Sequence, residues 1–132
     1  MKDPRREHMP DTRSSKTGKA QVDSVEFYVT ISFFDDVDRD DARPGEMFIR
    51  MSKHGSDLSL MYDALAVMVS VSLQYGVPWQ KIKEKFEHSR GSTSDHENPS
   101  ILHGIIMLAD RLISEYRSET QAMQDDVSIE GA

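Results

Sequence analysis

A chain of 132 residues, 37% hydrophobic and 30% charged, has room for one domain with one core and little for a second. Its formal net charge of −7 works against a protein that coats itself with nucleic acid, which needs clustered lysine and arginine to neutralise phosphates. The absence of cysteine removes disulfides, thiolate nucleophiles, thiyl radicals and cysteine-type zinc or iron–sulfur sites in one step.

Along the chain, Lys2, Arg5, Arg6, Arg13, Lys16 and Lys19 outnumber Asp3, Glu7 and Asp11 within the first twenty residues, which hold no aromatic side chain. Residues 1–23 are therefore expected to be a solvated, disordered tail, with a weak arm for nucleic acid or an acidic partner as the alternative. The opening "MKDPRREHMP" has no apolar stretch behind its charges, and no run of eighteen apolar residues exists to span a bilayer. No membrane association is expected, and the cytoplasm is the expected address.

"VEFYVTISFF", Val25 to Phe34, alternates with period two. Val25, Phe27, Val29, Ile31 and Phe33 share one face, and Glu26, Tyr28, Thr30 and Ser32 the other, which predicts a strand. "DDVDRDDARPG" breaks it as a long hairpin loop, and "EMFIRM", Glu46 to Met51, resumes as an antiparallel partner. A lone two-stranded ribbon leaves two unpaired edges. A third strand from residues near 35 to 45, or a second copy of the chain, is expected to cover them, and a homo-oligomer is the expectation.

From Leu58 the period changes. Leu58, Met61, Leu65, Met68, Val69, Ser72 and Leu73 recur at three and four residues, and Ala64, Val67 and Val71 widen the stripe. This predicts a helix of about eighteen residues, buried on much of its surface and forming the spine of the core. Gly76 suits a left-handed terminator and Pro78 the first turn of a second helix, whose apolar side carries Trp79, Ile82 and Phe86. After the polar loop "EHSRGSTSDHENPS", Asn98 and Pro99 predict the start of a third helix along Ile101, Leu102, Ile105, Leu108, Leu112, Ile113 and Tyr116. The fold expected is α+β, an N-terminal antiparallel hairpin or small sheet followed by three helices over residues 24–117, with 118–132 as a second disordered tail.

Two places could hold a ligand. Lys53, His54, Gly55 and Ser56 form a glycine turn entering a helix, where free backbone N–H groups and the helix dipole favour an anion. The competing reading is a plain turn in which Gly55 supplies an unusual backbone angle and Ser56 or Asp57 caps the helix; the acidic Asp57 favours it. In the loop, Arg90, Ser92, Thr93 and Asn98 bring a guanidinium, hydroxyls and an amide, groups suited to a phosphate or ribose of a nucleotide. Asp36, Asp38 and Asp40 have calcium-loop spacing but lack the glycine at the sixth position and the glutamate at the twelfth. His88, His96 and His103 match no metal-ligand spacing, and Ser92, Thr93 and Ser94 sit on no nucleophile elbow. No catalytic residue, metal or cofactor is expected.

The order of these elements resembles the TSCPD domain, the small C-terminal domain of adenosylcobalamin-dependent ribonucleotide reductases. The residues that carry the likeness are Tyr28, Val29 and Thr30; Glu46 and Phe48; Lys53, Gly55 and Ser56; and Ser72, Leu73, Gly76, Val77 and Pro78. The chain departs from the family's Thr-Ser-Cys-Pro-Asp motif, since Asn98, Pro99, Ser100, Ile101 and Leu102 keep a helix start but have neither the cysteine nor the aspartate. The resemblance implies a non-catalytic accessory or regulatory protein of deoxyribonucleotide metabolism, with a reductase catalytic subunit as a partner. A small nucleotide-binding or sequestering protein, or an interaction module built on the Trp79 helix, is the alternative.

Overall fold

The computed structural model describes residues 5–34, 42–52, 57–90 and 100–130. Three antiparallel strands come first, β1 (Ser15–Val22), β2 (Val25–Phe33) and β3 (Pro44–Met51), in the order β1-β2-β3. Helices α1 (Asp57–Gln74), α2 (Trp79–Arg90) and α3 (Ile101–Glu130) follow, giving the α+β arrangement expected.

β2 is the central strand, and the alternation that predicts it also orients it. Phe27, Val29, Ile31 and Phe33 are wholly buried. Met47, Ile49 and Met51 of β3 join them on the same face. On the opposite face the register aligns Lys19, Tyr28 and Arg50 in one row and Thr17, Thr30 and Phe48 in the next. Hydroxyl pairs tie that face together, Thr17 Oγ1 to Thr30 Oγ1 at 2.7 Å and Ser15 Oγ to Ser32 Oγ at 2.9 Å.

The third strand is β1, from the segment expected to be a tail; of the residues near 35 to 45, those at 35–41 lie outside the described residues, and Pro44 and Gly45 open β3. The inward residues of β1 are Lys16, Gly18, Ala20 and Val22, too small a set to signal burial by hydrophobicity. Their smallness has a cause: a Cβ on Gly18 would lie 2.9 Å from Leu108 Cδ1 and 3.1 Å from Leu112 Cδ2 of α3. A two-residue turn at Asp23 and Ser24 joins β1 to β2, with Asp23 in the left-handed region at φ 54°.

α3, and not α1, is the spine of the core. Ile105, Ile106, Leu108, Ala109, Leu112 and Ile113 are all buried against the sheet, and Tyr116 stacks on Phe33 with ring centroids 3.8 Å apart. The helix starts at a Ser100 cap, whose Oγ accepts the His103 N–H at 3.1 Å. It continues well past residue 118, where a tail was expected. Lys16 of β1 holds this extension through Glu119 and, at 3.4 Å, Glu115.

α1 ends as its sequence implies. Gly76 has φ 97°, its N–H bonds the Leu73 carbonyl, and the Val77 N–H bonds the Ser72 carbonyl, both at 3.0 Å.

Candidate functional site

The residues singled out as a phosphate cradle or loop site, Lys53, His54, Gly55, Ser56, Ser92, Thr93 and Asn98, lie outside the described residues. Arg90 is the last residue of α2, and its side chain also lies outside them. The described residues carry three other features.

The first is α1, which is apolar on both sides. Toward the core it buries Ala66, Val69, Ser70, Leu73 and Gln74, so the stripe through Leu58, Met61 and Met68 is only partly the inner one. Those three face outward with Leu60 and Val67; Leu60, Met61, Val67 and Met68 are each 60% exposed or more. Tyr75 and Val77 extend the patch beyond the helix end. Exposed apolar residues grouped in this way, over about three turns of one helix, mark an interaction site more often than ordinary surface.

The second feature explains the inversion. Ser70 and Gln74 point inward because they serve the outer edge of β3, which has no fourth strand beside it among the described residues. Ser70 Oγ accepts the Met47 N–H at 2.8 Å and lies 3.1 Å from the Met47 carbonyl. Gln74 Nε2 donates to the Gly45 carbonyl at 2.9 Å, while its Oε1 accepts from Arg6 Nε at 2.6 Å. Helix side chains thus stand in for a neighbouring strand. This coverage of β3 removes the edge-pairing reason for expecting an oligomer on that side. Between α1 and β3 a cleft of about 320 Å³ remains, lined by Phe48, Ile49, Asp63, Val67 and Val71 among others.

The third feature is a polar cavity of about 440 Å³ where α1, α2 and α3 meet, with Arg43, Lys83, Asp110 and Arg117 in its lining. Asp110 is its hinge pin: Oδ1 accepts the Trp79 indole N–H and Oδ2 accepts from Lys83, both at 3.0 Å. The bond to Asp110 raises Lys83 above the ordinary ammonium value. A group raised in this way contributes stability that is complete below its unfolded pKa and fades only as pH rises through the folded one, so the clamp holds undiminished at neutral pH. Arg43 donates to both carboxylate oxygens of Glu7 at 3.0 and 2.5 Å and lies over the Phe34 ring, and Arg117 Nε donates to the Ala42 carbonyl at 3.2 Å. These cations tie the strand entry to the helices. Asp110→Ala should cost about 2–4 kcal/mol in urea denaturation, because it strips the acceptor from a buried indole N–H and the partner from Lys83. Asp110→Asn, which keeps an acceptor for Trp79, should recover part of that loss.

Sequence reasoning missed the Arg43, Lys83, Asp110 and Arg117 group because its members come from the strand entry, α2 and α3. No local spacing links them. The buried pair Ser70 and Gln74 did leave a signal, two polar residues four apart in a largely apolar helix.

A family model, that of the TSCPD domain, matches residues 2–113. The chain is 41% identical over 93 residues to a vitamin B12-dependent ribonucleotide reductase of Rhodopirellula baltica, a match covering 70% of this chain and 8% of that protein. It is 38% identical over 96 residues to the enzyme of the same description from Streptomyces clavuligerus, covering 70% and 10%, and 39% over 85 residues to that of Bradyrhizobium diazoefficiens, covering 64% and 6%. The chain therefore corresponds to a tenth or less of each of these three relatives. No solved structure matches it. No helix among the described residues is long and apolar enough to cross a membrane.

Proposed function

Because the chain belongs to the TSCPD domain family, we propose that it is a non-catalytic accessory or regulatory module of ribonucleotide reduction that docks onto a reductase catalytic unit through the outer face of α1. The observation that carries this reading is the unpartnered apolar stripe of Leu60, Met61, Val67 and Met68 on a chain with no cysteine. Without a thiol it brings no sulfur nucleophile or radical of its own, so a part in such a reaction is that of a partner. The relatives support the choice of occupant, since in each of them the matching segment is a small part of a long reductase chain.

Sedimentation or calorimetry with a B12-dependent reductase shortened by its own matching segment tests the reading. A one-to-one complex is expected, weakened at least tenfold by the double substitution Val67→Glu and Met68→Glu. Both positions are exposed, so the variant should keep its circular dichroism and melting curve. A homodimer dissolved by the same two substitutions would make the face a self-interface and overturn docking. So would a monomer that ignores the reductase.

A further inference from the structure

The helices cover one face of the sheet, and the residues of the other face form a short, ordered grid. At its centre a shallow hollow of about 280 Å³ is lined by Thr17, Tyr28, Thr30, Phe48 and Arg50. Phe48 is 53% exposed in the middle of β3, although burial of an aromatic ring is among the stronger drives in folding. Tyr28, one row along, is already engaged: Arg50 lies over its ring at 5.3 Å and Lys19 at 5.8 Å from the centroid. Phe48 has no ring or cation partner among the described residues.

We infer that this face binds a nucleoside phosphate, with the base stacked on Phe48, the sugar beside the Thr17 and Thr30 hydroxyls, and the phosphate on Arg50. An aromatic ring standing on a strand, open on one side and next to a guanidinium, is how sheet surfaces hold single bases. The two threonines are 2.7 Å apart and exposed, so their hydroxyls can exchange that mutual bond for bonds to a ribose or deoxyribose. The charges choose a mononucleotide over a strand of nucleic acid. Lys19 is paired with Glu26 and Arg13 with Glu46, both at 3.3 Å, which leaves Arg50 as the cation on this grid with no acid partner among the described residues. One guanidinium suits one nucleotide; a polyanion would need a row of them. Phe48 also borders the cleft that Val67 lines from the α1 side, so the site adjoins the outer face of that helix, but the inference does not depend on docking to a reductase.

Titration of the full chain with ribo- and deoxyribonucleoside triphosphates, followed by calorimetry and by two-dimensional NMR of the backbone amides, tests it. Saturable binding with shifts centred on residues 17, 28, 30, 48 and 50 is expected. Phe48→Leu keeps an apolar side chain but no ring to stack on, and should weaken binding on the order of tenfold or more. Arg50→Ala should do so by a similar factor, and Phe48→Trp should retain it and report it by fluorescence quenching. Both positions changed are exposed, and unchanged melting curves will separate loss of binding from loss of fold. Absence of binding at millimolar nucleotide overturns the inference, as does binding that both Phe48→Leu and Arg50→Ala leave intact. Equal competition by inorganic triphosphate would reduce the site to an anion patch and also overturn it. Binding to oligothymidylate many-fold tighter than to any mononucleotide would replace it with a nucleic-acid surface.

Discussion

Ser70→Val is expected to lower the stability of the domain by about 2–4 kcal/mol and its melting midpoint by roughly 10 °C. Valine replaces the hydroxyl with a methyl group and adds a second, and Ser70→Thr adds only the second, so the difference between the two variants is chemical. The Ser70 hydroxyl serves both the N–H and the carbonyl of Met47, in a residue whose own exposure is 1%. Valine would leave the Met47 N–H unpaired, at about 1–3 kcal/mol, and would take from the Met47 carbonyl a hydroxyl proton that it shares with the Ala66 carbonyl, 2.8 Å from the same oxygen. Ser70→Thr keeps the hydroxyl and should stay close to the parent. Equilibrium urea unfolding of the three proteins, with equal denaturant slopes, is the measurement. A Ser70→Val protein as stable as the parent would mean that α1 does not cover this edge.

Gly104→Leu should be comparably damaging, about 3 kcal/mol, through overpacking. Gly104 lies on the sheet side of α3, and a Cβ there would sit 2.7 Å from Val22 Cγ2 and 3.2 Å from Phe27 Cζ. Even alanine, which gains about 1 kcal/mol of helix propensity over glycine, meets the same wall. Combining Gly104→Ala with Val22→Ala should therefore restore much of what Gly104→Ala loses, a coupling that a double-mutant cycle measures directly. Additive effects would show that α3 stands further from β1 than these distances require.

These two residues also show where the sequence could be read and where it could not. β2 and β3 were legible because period-two alternation and burial coincide along Phe27, Val29, Ile31 and Phe33. β1 was not, because close approach of α3 selects Gly18 and Ala20 on its inner face, and small residues carry no hydrophobic signal. The extent of α1 was legible to within a residue, but its rotation was not. Leucine, methionine and valine surround it, and the buried side is marked by Ser70 and Gln74, residues that a hydrophobic pattern places outside. The length of α3 was hidden for a related reason: beyond Tyr116 its support is ionic, through Lys16, and not apolar. Of the candidate sites, the polar cavity depends on side chains from three separate elements, and the sheet-face grid depends on a register that only β1 completes.

The edge duty performed by Ser70 and Gln74 gives the sheet a direction. Growth is closed on the β3 side, because an incoming peptide would have to displace a whole helix before it could form its first ladder bond. On the other side β1 has no strand beyond it among the described residues. Any extended segment recruited by main-chain pairing must therefore arrive next to β1.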